Sequence, residues 1–253
     1  MQMRNTLVAH VGRPGFGRTE RRDNWWVEPV IVFVGLAIFV AYSTWAAFAG
    51  DNFQYGPYLS PFYSPYLKPG WWPLSGALLI LPIPLGFRLT CYYYRKAYYR
   101  AVFASPPACA VSERRGDYTG ETGIILRWWP ILHRWFLYGS IVVLVILWYD
   151  AVLAFDFDGR FGVGVGTLVL LANVALLSFF TLGCHALRSA VGGNVKCFSC
   201  APLGAARYGA WRFVSSFTQR HPLWAWLSLY SVGLADLYVR LCAMGVIRDL
   251  RIV

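Results

Sequence analysis

The chain has 253 residues, of which 57% are hydrophobic, 18% aromatic and only 14% charged, and its mean hydropathy is +0.46. Water-soluble domains carry about 25% charged residues, so the composition argues against an ordinary soluble enzyme. The 23 basic and 12 acidic residues give a net charge of +11. These charges lie between long apolar blocks, where Lys and Arg hold cytoplasmic loops against an anionic leaflet, so no nucleic-acid partner is expected. Nor is there a GxGxxG followed by an acidic residue, a P-loop or an HExxH to suggest a self-sufficient nucleotide-binding or hydrolytic enzyme.

Residues 1–24 read as a basic cytoplasmic tail without the apolar core of a secretory signal. Residues 25–253 read as a single membrane domain. A bilayer core of about 30 Å needs about 20 helical residues, and five stretches qualify. They run over about 27–48, 72–94, 131–153, 163–184 and 223–245. Pro82 and Pro84 predict a kink in the second. Gly162, Gly164 and Gly166 open the fourth and allow close helix contact. The fold class is therefore all-α: an integral bundle of five transmembrane helices.

Basic residues alternate between the two sides. The tail carries Arg4, Arg13, Arg18, Arg21 and Arg22. The second connection carries Arg95, Lys96, Arg100, Arg114, Arg115 and Arg127, and the fourth Arg188, Lys196, Arg207, Arg212 and Arg220. Lys68 and Arg160 stand alone in the first and third. The positive-inside rule places the N-terminus and the even connections in the cytoplasm. The Pro- and Tyr-rich stretch from Gln54 to Trp72 is then an outer loop capping the bundle. An interfacial helix with Arg207, Trp211 and Arg212 is expected between Cys197 and Arg220.

Chemistry concentrates in Gly183–Cys200, GCHALRSAVGGNVKCFSC. Cys184 and His185 end the fourth span, Gly192 and Gly193 let the chain turn, and Cys197 with Cys200 forms a CxxC. Thiolates and imidazoles are ligands for zinc and iron–sulfur clusters. In a reducing cytoplasm a structural disulfide is the weaker account of this CxxC. The plainer alternative is a set of unligated thiols and a snorkelling histidine. Cys91, Cys109 and Cys242 read as packing residues. By topology His133, His185 and His221 share one depth at the inner side, where two imidazoles can ligate one iron of a Rieske-type cluster or both axial positions of a haem.

Arg88, Tyr92, Tyr93, Tyr94 and Arg95 lie near that level, with Trp128, Trp129, Arg134 and Tyr138. An arginine about two turns inside a span should face a partner or a wet cavity, and aromatic walls with a few donors suit a quinone headgroup. An aromatic belt with snorkelling arginines explains the same residues. Asp236 and Arg240 read as a structural i,i+4 pair, and Asn173 as an interhelical hydrogen bond.

FRLTCYYYRKAYYRAVFASPPACAV from Phe87, YTGET from Tyr118, His133-Arg134, YGPYLSPFYSPYL from Tyr55, and GCHALRSAVGG with CFSC resemble the membrane-anchor subunit (cytochrome b-like, SdhC-type) of an actinobacterial succinate dehydrogenase or fumarate reductase. The resemblance runs from about Trp25 to Cys200, the last span matching by topology alone. It implies a multi-pass anchor in the plasma (inner) membrane for a flavoprotein and an iron–sulfur subunit, with room for another small membrane subunit, passing electrons from succinate to menaquinone. Succinate itself would be oxidised in another chain.

The resemblance also implies a membrane-embedded Rieske-type [2Fe–2S] cluster, with Cys184, His185, Cys197 and Cys200 as matching ligands. A Rieske centre takes two Cys and two His, whereas these four are three Cys and one His. Either His133 or His221 completes the set, or the centre is of another type, or a partner donates a ligand. Arg88, Tyr92, Arg95, Trp129, His133 and Tyr138 are the quinone-side candidates, with His133 delivering protons. The alternatives are a haem b anchor with His133 and His185 as axial ligands, and a non-redox transporter or scaffold whose CxxC holds zinc or nothing.

Overall fold

The computed structural model describes residues 15–113, 124–193 and 195–252. Arg4, Arg13, Arg114, Arg115 and residues 118–122 lie outside the described residues. The described chain is mostly helical. Among the described residues three helices are long and apolar enough to cross a membrane: α1 (Val27–Ala49), the segment Arg127–Leu153 of α5 (Ile124–Leu153), and α6 (Val165–Leu182). Gly50 stops α1 by taking the left-handed conformation at φ +70°, which an L side chain adopts only with strain.

The second expected span is not one kinked helix. Helix begins only at Ala77 and runs in three pieces, α2 (Ala77–Ile80), α3 (Pro82–Leu89) and α4 (Tyr92–Ala101). Pro82 and Pro84 account for the first interruption, because neither can donate to the preceding turn. The second falls at Thr90–Cys91, without a proline. There Thr90 returns its hydroxyl to the Gly86 carbonyl at 2.7 Å, and Cys91 turns extended.

After α5 the chain reverses through a two-stranded hairpin, β3 (Asp156–Phe157) and β4 (Arg160–Phe161), following the outer hairpin β1 (Gln54–Tyr55) and β2 (Tyr58–Leu59). Asp158 and Gly159 both have positive φ in its turn, as such tight hairpins require. The helical turn α7 (His185–Arg188) follows α6 and passes into a π-turn, Ser189–Gly193. The helix expected between Cys197 and Arg220 is α8 (Gly204–Thr218), and α9 (His221–Ala243) is 23 residues long. α6 packs along α9 and α5, α3 lies against α5, and α1 leans on α4 and α9.

The Pro- and Tyr-rich loop before α2 is inserted into the bundle rather than laid over it. Tyr58, Ser60, Phe62, Tyr63 and Ser64 are all buried. Their hydroxyls reach four separate parts of the chain: Ser60 donates to Asp236 of α9, Ser64 to Asp150 of α5, Tyr63 to the Ala46 carbonyl of α1 at 2.9 Å, and Tyr58 to Asp249 beyond α9 at 2.7 Å. Asp249 also accepts from the Gly166 amide at the start of α6 at 2.9 Å, where a helix has free N–H groups. The Asp236–Arg240 pair forms at 2.8 Å, and Tyr42 donates to the same carboxylate at 2.6 Å. Ser231 of α9 donates to Asn173 of α6 at 3.0 Å, supplying the interhelical bond.

At the opposite end the N-terminal tail is fastened to the loop after α4. Gly17 donates to the Ser112 carbonyl, Ser112 returns a bond to Arg18, and Arg21 reaches the Cys109 carbonyl at 2.9 Å. Tail and loop are therefore tied together at this end of the bundle.

Candidate functional site

Two helix breaks face each other at this end of the bundle. Each has a cysteine as the first residue after the break, in nearly the same backbone conformation: φ −66°, ψ 127° at Cys91 before α4, and φ −65°, ψ 129° at Cys184 before α7. The preceding residues repeat as well, Phe87-x-Leu89-x-Cys91 and Phe180-x-Leu182-x-Cys184. Both thiols are buried in one cluster with Phe87, Phe180, Tyr94 and Leu137. The free amides that begin each helix are aimed at the sulfurs, those of Tyr93 and Tyr94 at Cys91 and those of Ala186 and Leu187 at Cys184.

Two histidines close the arrangement crosswise. His133 of α5 places Nε2 3.3 Å from Cys184 Sγ, while its Nδ1 lies 3.0 Å from the Thr90 hydroxyl. His221, first in α9, places Nε2 3.7 Å from Cys91 Sγ, and its buried Nδ1 has no hydrogen-bond partner. Phe87 stacks on His133 at 4.8 Å and Phe180 on His221 at 5.0 Å, and the two phenyl rings meet edge to face. His185 stands edge-on to His221 at 5.9 Å. Its burial, with Arg188 close by, pushes its pKa below the usual imidazole value, favouring the neutral ring.

Of the expected metal ligands, Cys184 and His133 thus come together, while the His185 ring stands against His221. Cys197 and Cys200 do not join them. They are bonded to each other as a disulfide in an exposed loop, so neither presents the thiolate that the ligand expectation requires. Among the described residues no three His, Cys, Asp or Glu side chains converge on a point where one ion would sit. The donors fall instead into two thiol–imidazole pairs.

Cys91 is the member that the sequence reading passed over as a packing residue. The repeated Phe-x-Leu-x-Cys, once at each helix break, is the signal that marks it.

Beside the centre lies a cavity of about 340 Å³, bounded at one end by Phe87, Arg88 and Phe180 and at the other by Pro61 and Phe62 of the outer loop. Its walls are overwhelmingly apolar. Ser140 also lines it, and the Ser140 hydroxyl is buried without a partner. Of the quinone-side candidates Arg88 lines the cavity and His133 belongs to the thiol–imidazole centre. The Arg88 guanidinium bonds Ser228 at 2.9 Å and lies 4.6 Å from the Phe180 ring centre. Tyr92 and Tyr138 face outward at 71% and 45% exposure. Arg95 is buried over the Tyr92 ring, and Trp129 has a buried indole N–H without a partner.

A helical membrane protein with a buried thiol–imidazole set beside an apolar cavity has the parts of a respiratory-complex subunit. The model of the family described as actinobacterial succinate dehydrogenase subunit SdhC matches residues 27–245, and the chain belongs to that family, as a membrane subunit of a succinate dehydrogenase complex. Its structure is similar to a chain of the Mycobacterium smegmatis Sdh1 complex in the apo form, with 43% sequence identity, a TM-score of 0.83, and coverage of 94% of this chain and 95% of that one. Among curated proteins none matches.

Proposed function

We propose that the chain anchors the soluble subunits of a succinate:menaquinone oxidoreductase to the plasma membrane and carries electrons from them to the quinone. In this reading the chain crosses five times, the broken α2–α4 segment and α9 adding to the three long apolar helices. The N-terminus, the loop after α4 and the α7–α8 region face the cytoplasm. The asymmetry of basic residues supports this orientation, and the basic residues of the tail and of the second and fourth connections offer the flavoprotein and iron–sulfur subunits a docking face.

The observation that carries the electron-transfer reading is the crosswise pairing of Cys91 with His221 and Cys184 with His133. Two thiols and two imidazoles are the donor count of a Rieske-type [2Fe–2S] cluster. A Rieske-type centre would take both imidazoles on one iron and both thiolates on the other, so His133 with His221 and Cys91 with Cys184 would be the ligand pairs, drawn from the two facing thiol–imidazole contacts. The orphaned Nδ1 of His221 marks a polar side chain buried for a purpose other than packing. When bound, such a cluster supplies one-electron transfer between the soluble iron–sulfur chain and the quinone.

The protein's own part is to hold the donors. Thr90 fixes the His133 ring through Nδ1 and leaves Nε2 directed at the centre, as a metal-ligating histidine needs. The stacked phenyl rings exclude water. The quinone ring fits the adjacent cavity, with Arg88 and Ser140 as donors to its carbonyl oxygens and apolar walls around the rest. In the haem b alternative His133 and His185 are the axial pair. The contact of His133 Nε2 with the Cys184 sulfur favours the thiol–imidazole set instead.

Low-temperature EPR of the dithionite-reduced complex tests this reading, together with iron, acid-labile sulfide and haem assays. Cys91→Ser and Cys184→Ser should each remove one [2Fe–2S] signal and about two irons and two sulfides per complex, leaving the soluble clusters and succinate oxidation by an artificial acceptor intact. Haem bands, or a full complement of iron in both variants, would overturn it.

A further inference from the structure

The CxxC stands apart from the centre just described. Cys197 and Cys200 form a disulfide at the surface, preceded by the exposed Lys196. Their turn is anchored by Phe198, which packs over Gly192 with its ring 5.3 Å from Tyr208 and 6.2 Å from Trp211 of α8. The Arg188 guanidinium lies 4.8 Å from the Trp211 ring centre and donates to Ser215 at 2.8 Å. Arg188 ends α7, the turn that Cys184 begins. Packed side chains therefore connect the disulfide to the ligand-bearing turn.

On the cytoplasmic placement proposed above, this bond faces a phase that keeps thiols reduced. A disulfide exposed there, on a turn that follows Lys196, has the setting of an exchangeable bond rather than a permanent brace. We propose that Cys197 and Cys200 are a reversible dithiol–disulfide site, opened and closed by exchange with a cytoplasmic dithiol, and that its state is transmitted through Phe198, Trp211 and Arg188 to α7. In the opening step a thiolate of the incoming dithiol attacks one sulfur, the Cys197–Cys200 bond breaks and a mixed disulfide forms. The second thiol of the same molecule displaces it. The protein pair gains two electrons and two protons, and the reagent leaves as its disulfide. Closing is the reverse exchange with the disulfide form of the same reagent.

The test uses the assembled complex in sealed inside-out vesicles carrying Cys109→Ser, because Cys109 is also exposed. A membrane-impermeant maleimide of high mass counts free thiols on this chain after treatment with dithiothreitol or its oxidised form. Dithiothreitol should add two labels and the oxidised form remove both, with no gain in the Cys197→Ser/Cys200→Ser double variant, whose iron content stays unchanged. Quinone reduction should differ by about twofold or more between the two states and become insensitive in the double variant.

Labels that never appear after reduction, or that appear equally in both states, overturn the site. So does loss of iron or zinc from the double variant, which would make the pair metal ligands. Labelling confined to right-side-out vesicles overturns the cytoplasmic placement, and the exchange with it. A reversible pair with unchanged quinone reduction overturns the link to α7.

Discussion

His221 faces Cys91 across the seam between α9 and the break before α4, with Nε2 3.7 Å from the sulfur. His185, the histidine next to Cys184 in sequence, meets the ring of His221 instead, 5.9 Å away. The two therefore have different parts. His221→Ala should abolish the membrane [2Fe–2S] signal, whereas His185→Ala should keep it with altered g-values. EPR of the two variants side by side decides, and equal loss in both would place His185 among the ligands.

Thr90 acts on the centre through its hydroxyl, 3.0 Å from His133 Nδ1 and bonded to Gly86 at the break before Cys91. Outer partners of this kind are worth about 10–100-fold in metal affinity. Thr90→Val should thus lose iron to a chelator at least about tenfold more readily than the parent complex, while Thr90→Ser, which keeps the hydroxyl, should behave like the parent. Iron retained against a graded chelator series is the measurement.

The Asp236–Arg240 pair is buried to 0% and 1% exposure and saturated with bonds: Asp236 also accepts from Ser60 and Tyr42, and Arg240 donates to the Ala46 carbonyl at 2.8 Å. Removing one partner strands the other charge, at a cost of about 3–5 kcal/mol. Arg240→Met and Asp236→Leu should each lower the midpoint of detergent unfolding strongly. The double variant should be less destabilised than the two single losses added together, and strict additivity would exclude direct coupling of the two charges.

Ser140 presents a lone hydroxyl to an apolar cavity. One hydrogen bond contributes about 1 kcal/mol, so Ser140→Ala should lower kcat/KM for the quinone about fivefold. Leu144 lines the same space, and Leu144→Trp should obstruct it. The expected pattern is a larger loss of quinone reduction than in Ser140→Ala, with electron delivery to the membrane cluster preserved. Unchanged quinone kinetics in both variants would move the quinone elsewhere.

Gly166 lets the Tyr58 ring lie directly on α6. A methyl group there overlaps the ring, and overpacking of this kind costs about 1–3 kcal/mol. Gly166→Ala should lower the thermal midpoint, and Tyr58→Leu in the same chain should restore part of it. A midpoint unmoved by Gly166→Ala would show that the loop yields at no cost.

The spans of α1, α5 and α6 were legible because a helix in lipid is apolar on every side, and the interruption at Pro82 followed from the missing N–H. The break at Thr90–Cys91 was not, since it arises from a threonine side chain and tertiary contacts rather than from Gly or Pro. For the same reason Cys91 looked inert: its histidine partner lies 130 residues away, and no local spacing joins them. The shared depth of His133, His185 and His221 followed from topology alone. The CxxC attracted a ligand reading because close spacing is the feature that a one-dimensional search detects best, yet the structure bonds its sulfurs to each other.

The two thiols are supplied by breaks that the ribosome completes far apart in time, and His221 emerges later than both. Until α9 has docked, the nascent bundle offers only part of the donor set, with its sulfurs still open to oxidation. On the cluster reading proposed above, a chain truncated before α9 lacks the His221 donor and should show no membrane [2Fe–2S] signal.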